Sequence, residues 1–353
     1  MKKWLMGLAM ASALTAAGAP AGAETTIRLG WCAPVVSPAA APFAVAQKFG
    51  WFGEGVRVQL QPLPGSIDCV KQVATGELFY SAPSIEPLAI VKPQGVKAKS
   101  FYLSYHENIY GIAVPVESPI KDYADLRGKL IGVTAMGSAG VVMARALLSN
   151  AGINPDTEAR IIAVGEAGQA AAMVRNKQVD ALSQFDAAYG LIENAGVKLR
   201  FLDKTSIIKF PSNGLLALEK TLVERREEAA ALGRGNAMGT LFTINNPEAA
   251  VRILFEVFPQ TKATGVDEAG AIKLGLAPLN ALMHVFDPRG STGVTRWGEA
   301  SMQDYDAYVD FLLKWGVLKQ KVPASELATN ELVDEFNRFD PAMVIEKART
   351  WKP

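Results

Sequence analysis

The sequence predicts an α/β protein of two similar units, each a parallel-rich sheet flanked by helices, with a helical tail behind them. Three observations carry this expectation. Strand-period and helix-period segments alternate from residue 26 to residue 202. A strand, a Gly-Ser turn and a helix follow one another twice, around Gly65-Ser66 and around Gly137-Ser138. From Glu219 onward the strand pattern stops and helical spacing takes over. Strands joined through helices run parallel, because a parallel neighbour is reached only by a crossover.

Residues 26–31 place Ile27 and Leu29 on one face, which is strand period. Residues 39–49 read as a helix that Gly50 ends. Val56, Val58 and Leu60 alternate with Arg57, Gln59 and Gln61 in a second strand. Ser66 is placed to cap a helix through Thr75, closed by Gly76. A short strand at 79–82, a helix at 85–94 and a strand at 96–104 complete the first unit. In the second, strands are expected at 129–134, 159–164, 179–183 and 198–202. Helices between them run from Gly137-Ser138 to Ala151, over 168–176 and over 187–195.

The chain opens with a different signal. Lys2 and Lys3 precede an apolar run over 4–17, and Ala21-Gly22-Ala23 offers small residues at a cleavage site. This is read as a secretory signal peptide over 1–23, with no Cys behind it to take a lipid. The run is too short for a membrane span, which needs about 20 residues. The expected product begins at Glu24 in a periplasm. Without that leader, which holds two lysines and no acid, the 36 Lys+Arg and 35 Asp+Glu become a formal charge of −1. Scattered basic residues in a near-neutral chain speak against nucleic acid as a partner. The mixed run Glu224-Arg225-Arg226-Glu227-Glu228 reads as a solvated helix face.

A hydrophobic fraction of 49% supports a large core. Cys32 and Cys69 are the only cysteines. In an oxidising compartment they either pair or pack as two half-buried thiols, and the sequence leaves both readings open. His106 and His284 lack ligand spacing toward them, so no metal site is expected. The sequence carries no Gly-x-Ser-x-Gly elbow, no phosphate loop, and no Gly-x-Gly-x-x-Gly behind a strand. No cofactor is expected, and an enzyme is disfavoured.

Several stretches in order carry a resemblance. Asp125-Leu126-Arg127-Gly128-Lys129-Leu130-Ile131-Gly132-Val133 leads to Gly137-Ser138. Asn154-Pro155, then Val179-Asp180-Ala181-Leu182 before Phe185-Asp186, then Trp315-Gly316-Val317-Leu318 and Pro323 follow. Across the mature chain the sequence resembles the periplasmic substrate-binding proteins of ABC transporters, in the group that binds nitrate, sulfonates, taurine and thiamine-precursor pyrimidines. The resemblance implies a two-lobed, type II-like periplasmic binding protein fold with two hinge crossings. Lobe one would be 24–110 plus 215–353 and lobe two 111–214, with crossings near 108–114 and 213–218, where Gly111 and Gly214 suit a bend. It implies a monomeric protein whose partners are a small ligand held between the lobes and, transiently, the transmembrane subunits of an ABC permease. A sensory role at a membrane receptor is an open alternative. The family's enzyme relatives carry a cysteine-rich motif that two separated cysteines do not match.

Ligands of open α/β sheets sit at the carboxyl ends of strands. That rule selects Trp31, Cys32, Gly65, Ser66, Ser84 and Glu86 in lobe one, and Gly137, Ser138, Gln184, Phe185 and Asp186 in lobe two. Asn108, Tyr110 and Asn213 border the hinge. Ser66 and Ser138 read as oxyanion donors beside helix N–H groups or as plain caps. If Glu86 and Asp186 both face the cleft, the ligand carries an amine or other donor; if the Gly-Ser helix starts dominate, it is an anion. Arg289 and Arg296 lie in a late loop that could reach the cleft.

Overall fold

The computed structural model describes residues 25–288 and 294–353. The expected signal peptide and Arg289 lie outside the described residues. Among the described residues ten strands form two sheets of five. They are β1 (Thr25–Trp31), β2 (Val56–Pro62), β3 (Tyr80–Ser81), β4 (Ala98–Leu103), β5 (Tyr110–Pro115), β6 (Leu130–Val133), β7 (Arg160–Ala163), β8 (Ala181–Phe185), β9 (Leu199–Phe201) and β10 (Gly214–Leu218). The flanking helices are α1 (Ala41–Lys48), α2 (Ser66–Ala74), α3 (Glu86–Val91), α4 (Ala139–Asn150), α5 (Ala167–Arg175) and α6 (Asp186–Asn194). The tail holds α7 (Glu219–Glu224), α8 (Arg226–Asn245), α9 (Pro247–Val257), α10 (Glu268–Asn280), α11 (Met283–Phe286) and α12 (Met302–Lys314). Three further helices close it, α13 (Ala324–Leu327), α14 (Val333–Phe336) and α15 (Pro341–Thr350). The mixed α/β class, the two sheets and the helical tail are as expected from the sequence.

Each sheet repeats one plan. The first has the order β2-β1-β3-β10-β4 and the second β7-β6-β8-β5-β9. In the first, β1 runs parallel to β2 and β3; in the second, β6 runs parallel to β7 and β8. The fourth strand of each is antiparallel to both neighbours and enters from the other sheet. The chain therefore crosses twice, over 104–109 and over 202–213. Residues 108–114 and 213–218, expected as the crossings, are mostly the strands that follow them. Neither Gly111 nor Gly214 has a positive φ. Gly214 serves close approach instead: a Cβ there would lie 2.5 Å from the Tyr102 carbonyl oxygen.

The two crossings are bonded to each other. Asn108 N–H donates to the Ile208 carbonyl at 2.9 Å, and Ser212 N–H to that of Tyr105 at 3.1 Å. Ser104 and Tyr105 N–H groups both donate to the Asn213 carbonyl, at 3.0 and 3.1 Å. A pair of short segments tied this way can bend together without losing its backbone partners.

Leu29, Leu88, Phe101, Phe242 and Phe336 are fully sealed in a core shared by the first sheet and the tail. Each buried side chain of this size contributes roughly 2 kcal/mol. Buried nearly throughout from Ala229 to Thr243, α8 lies hard against α1: a Cβ on Gly239 would sit 2.0 Å from the Pro42 carbonyl oxygen. The tail also reaches the second sheet, because Gly190 of α6 lets the Pro278 backbone of α10 approach within 2.7 Å of a Cβ position. Among the described residues no helix is long and apolar enough to cross a membrane.

Cys32 and Cys69 form a disulfide. It fastens the loop behind β1 to α2 across 37 residues of chain. By loop-closure entropy such a bridge stabilises by about 4 kcal/mol. The variant with both Cys32→Ala and Cys69→Ala should lose roughly 2–4 kcal/mol in urea unfolding. Identical unfolding midpoints in the two proteins would show that the bridge constrains nothing.

Candidate functional site

The carboxyl ends of the two sheets face one another beside the crossings. A cavity of about 60 Å³ lies there, lined by Trp31, Cys32 and Phe43 from the first sheet's side, and by Tyr105, Ile109, Tyr110, Phe185 and Asn213 along the crossings and second sheet. In the same measure one water needs about 10–15 Å³, so the space is small and narrow. Trp31 donates its indole N–H to the Val35 carbonyl at 2.8 Å and meets Phe43 edge-on, which fixes its ring as a wall. Tyr110 and Phe185 meet edge-on with centroids 6.3 Å apart. The tail adds Asn236 and Thr240 of α8 with Leu282 and Phe286.

The two Gly-Ser turns touch. Ile67 N–H donates to the Gly137 carbonyl at 3.0 Å. A Cβ on Gly65 would lie 2.4 Å from that same oxygen, and one on Gly137 would lie 2.3 Å from a carboxylate oxygen of Asp68. Only two glycines permit this approach. Neither serine caps its helix through its side chain. Ser66 Oγ instead accepts from Ser84 N–H and Ser84 Oγ–H at 3.1 and 3.2 Å. Tyr110 brings its hydroxyl beside both serines from the other sheet. Ser138 Oγ is buried with no partner.

The remaining residues selected from the sequence divide by their partners. Asn108 shapes its crossing by holding Tyr110 N–H and C=O with its side chain, both at 3.0 Å. Asn213 donates to the Ala82 carbonyl at 3.0 Å. Glu86 is buried under α12, where Tyr308 donates to its carboxylate. Burial pushes its carboxyl up, against the hydrogen bonds of Ser84 and Tyr308. Asp186 does not line the cavity and lies 3.3 Å from Lys204 Nζ and 3.7 Å from His284 Nε2. Burial raises its carboxyl, and Lys204 and His284 oppose the rise. Gln184 donates through Nε2 to the Gly165 carbonyl at 3.0 Å, leaving Oε1 buried and unpaired. Arg296 pairs with Asp334 at the surface. In the first crossing, burial drives the His106 imidazole down to about 4, so it is neutral at pH 7.

One acid was not selected from the sequence. Glu166 follows β7 and opens α5. Both of its carboxylate oxygens are sealed from solvent and have no hydrogen-bond partner. Burial raises its pKa to about 7. Ala167 beside it has φ +48°, a left-handed conformation that costs a non-glycine residue about 1 kcal/mol or more. The strand-end rule that selected Gln184 applies equally to Glu166. Its place after a weakly periodic four-residue strand hid it.

A family model described as NMT1/THI5 like matches residues 37–250. No curated protein matches the sequence. Among solved structures, one from Bordetella bronchiseptica RB50 superposes with a TM-score of 0.69 at 19% identity, over 89% of this chain and 97% of that one. The alkanesulfonate-binding protein SsuA from Xanthomonas axonopodis pv. citri, bound to MOPS, gives 0.62 at 15% identity over 86% and 98%. The periplasmic aliphatic sulphonate binding protein SsuA from Escherichia coli gives 0.59 at 16% over 86% and 92%. At these identities the likeness is one of fold.

An acid whose native pKa lies above its unfolded value binds extra protons in the folded state between the two values. Stability is then lost as pH rises from about 4.5 to about 7. Glu166→Gln removes that loss. The variant should match the parent near pH 4.5 and exceed it by about 3 kcal/mol at pH 8. Urea unfolding at both pH values measures the gap, and a gap equal at both would mean that Glu166 ionises freely in the folded protein.

Proposed function

This chain belongs to the NMT1/THI5-like family, and on that premise we propose that it is the solute-binding component of an ABC importer. In this reading residues 1–23 direct export to the periplasm. The mature protein, a monomer, captures a small ligand between two lobes, 24–110 plus 215–353 and 111–214, and hands it to the permease. The observation that carries the reading is the aromatic-walled cavity at the meeting of two sets of strand ends, beside two bonded crossings. Such a place is where open α/β sheets bind ligands.

The mechanism follows from where the contacts lie. When the crossings bend, Trp31 and Phe43 part from Tyr110 and Phe185, and the ligand enters. A ligand that touches both walls binds the closed arrangement better than the open one, and so shifts the population toward it. Closure brings Gly65 against Gly137. The permease then meets a surface composed of both lobes, which exists only in the closed state. The solved relatives named as sulfonate binders support a small organic or oxyanion ligand as the general class.

A thermal-shift screen of the ligand-stripped mature chain tests this. The panel is sulfonates, nitrate, small aromatic and aliphatic carboxylates, aminopyrimidines and small amines. A ligand that binds only the folded state raises the melting temperature. At least one class should do so, and the absence of any shift would remove the solute-binding reading. Gly65→Ala sets a methyl group against the Gly137 carbonyl. It should weaken the identified ligand by about tenfold or more while lowering stability little, because the clash exists only when the lobes meet. Unchanged affinity in calorimetric titration would separate closure from that contact.

A further inference from the structure

The carboxyl edge of the second sheet carries four polar side chains with buried oxygens that no group of the protein satisfies. They are Thr134, Ser138, Glu166 and Gln184, each with a buried oxygen lacking a partner. Thr134, Ser138 and Gln184 are at most 8% exposed. Backbone bonds bring them to one edge. Gly165 N–H donates to the Thr134 carbonyl at 3.1 Å, and Gln184 Nε2 reaches the Gly165 carbonyl, which directly precedes Glu166. Ser183 Oγ donates to the Gly140 carbonyl at 2.9 Å, tying β8 to the first turn of α4 that Ser138 opens. Four unpaired groups gathered from the ends of β6, β7 and β8 are costly to bury, and native proteins seldom leave such groups without a purpose.

The character of the set is acceptor. Glu166 offers two carboxylate oxygens, and burial is the only influence that moves its ionisation. Gln184 has committed its amide N–H to Gly165, so its free atom is the carbonyl oxygen. The two hydroxyls can accept as readily as donate. The other acids considered from the sequence each have one oxygen taken, Glu86 by Tyr308 and Asp186 by Lys204, and one buried oxygen unpaired, whereas Glu166 has neither taken. A sulfonate or nitrate has only acceptor oxygens and would face this carboxylate with its own negative charge. An ammonium group brings three donors and a positive charge.

We propose that the ligand carries a primary ammonium head, held by Glu166 and Gln184 with Ser138 and Thr134 at the carboxyl edge of the second sheet. This rests on the solute-binding reading and names its ligand class. The ligand reaches the four oxygens while the lobes are apart, and closure then seals the ion pair from water. Glu166 is thereby the specificity residue: unpaired and destabilising in the empty protein, paired in the loaded one. The strained turn at Ala167 holds it at the edge.

Two probes of matched shape, benzylamine and benzenesulfonate, separate the possibilities in calorimetric titration of the mature chain at pH 8. Benzylamine should bind, and benzenesulfonate at least about tenfold more weakly. Glu166→Gln should cut benzylamine affinity by about tenfold or more while remaining as stable as the parent or more so, and Glu166→Asp should keep the preference for the amine. In the parent, benzylamine should bind more tightly at pH 8 than at pH 6, a dependence the Gln variant lacks. Preferential binding of benzenesulfonate, equal benzylamine affinity in parent and Gln variant, or no binding of benzylamine would each overturn the inference. None of these touches the solute-binding reading, which stands or falls on whether any class in the screen stabilises the protein.

Discussion

Two glycines without side chains, Gly65 and Gly137, let the edges of two separate sheets meet, and the rest of the cleft is arranged around that meeting. The Ile67 N–H to Gly137 carbonyl bond spans it. Around it the structure holds each side still. The disulfide fastens α2 to the loop behind β1, so Gly65 and Trp31 move as one body. On the other side Ser183 locks the start of α4 to β8, so Gly137 moves with Phe185. The crossings are the connections that have to bend, and their shared hydrogen bonds keep their backbone groups satisfied as they do. Rigid faces on a pair of tied hinges are what a population shift between open and closed forms needs.

Charge inside the molecule follows a consistent logic with one exception. A buried carboxylate loses several kcal/mol of hydration and persists when a partner replaces the water. Glu86 has the Tyr308 hydroxyl, and Asp186 has Lys204. Glu166 has nothing, although its oxygens are sealed. The strained Ala167 stands next to it. Stability given up at one place, next to a conformation that costs more, is the mark of a group kept for something outside the folded chain.

Much of the fold is legible in the sequence because half-buried strands alternate and helices stop at glycines. β1 and β2 follow their period-2 pattern, and Gly50, Gly76 and Gly152 stand at helix ends with positive φ. What alternation cannot report is a strand buried on both faces. β5 and β10 are almost uniformly buried, so they read as apolar runs whose sheet and direction were open. The crossings consequently lie a few residues before the places expected for them. For the site, strand-end position found the walls, since Trp31, Cys32, Tyr110, Phe185 and Asn213 all line the cavity. It could not tell an occupied acid from a free one, because Tyr308 and His284 come from the tail, far away in sequence. Nor could it show that α8 would bring Asn236 and Thr240 to the same cavity.

Hinge closure on a ligand is the claim on which the account turns. Small-angle X-ray scattering of the mature chain, with and without the ligand that the screen identifies, addresses it most directly. The account predicts a smaller radius of gyration with ligand and a scattering curve that fits the arrangement in which Gly65 meets Gly137. Identical curves at saturating ligand would contradict it, since binding would then occur without any movement of one lobe against the other.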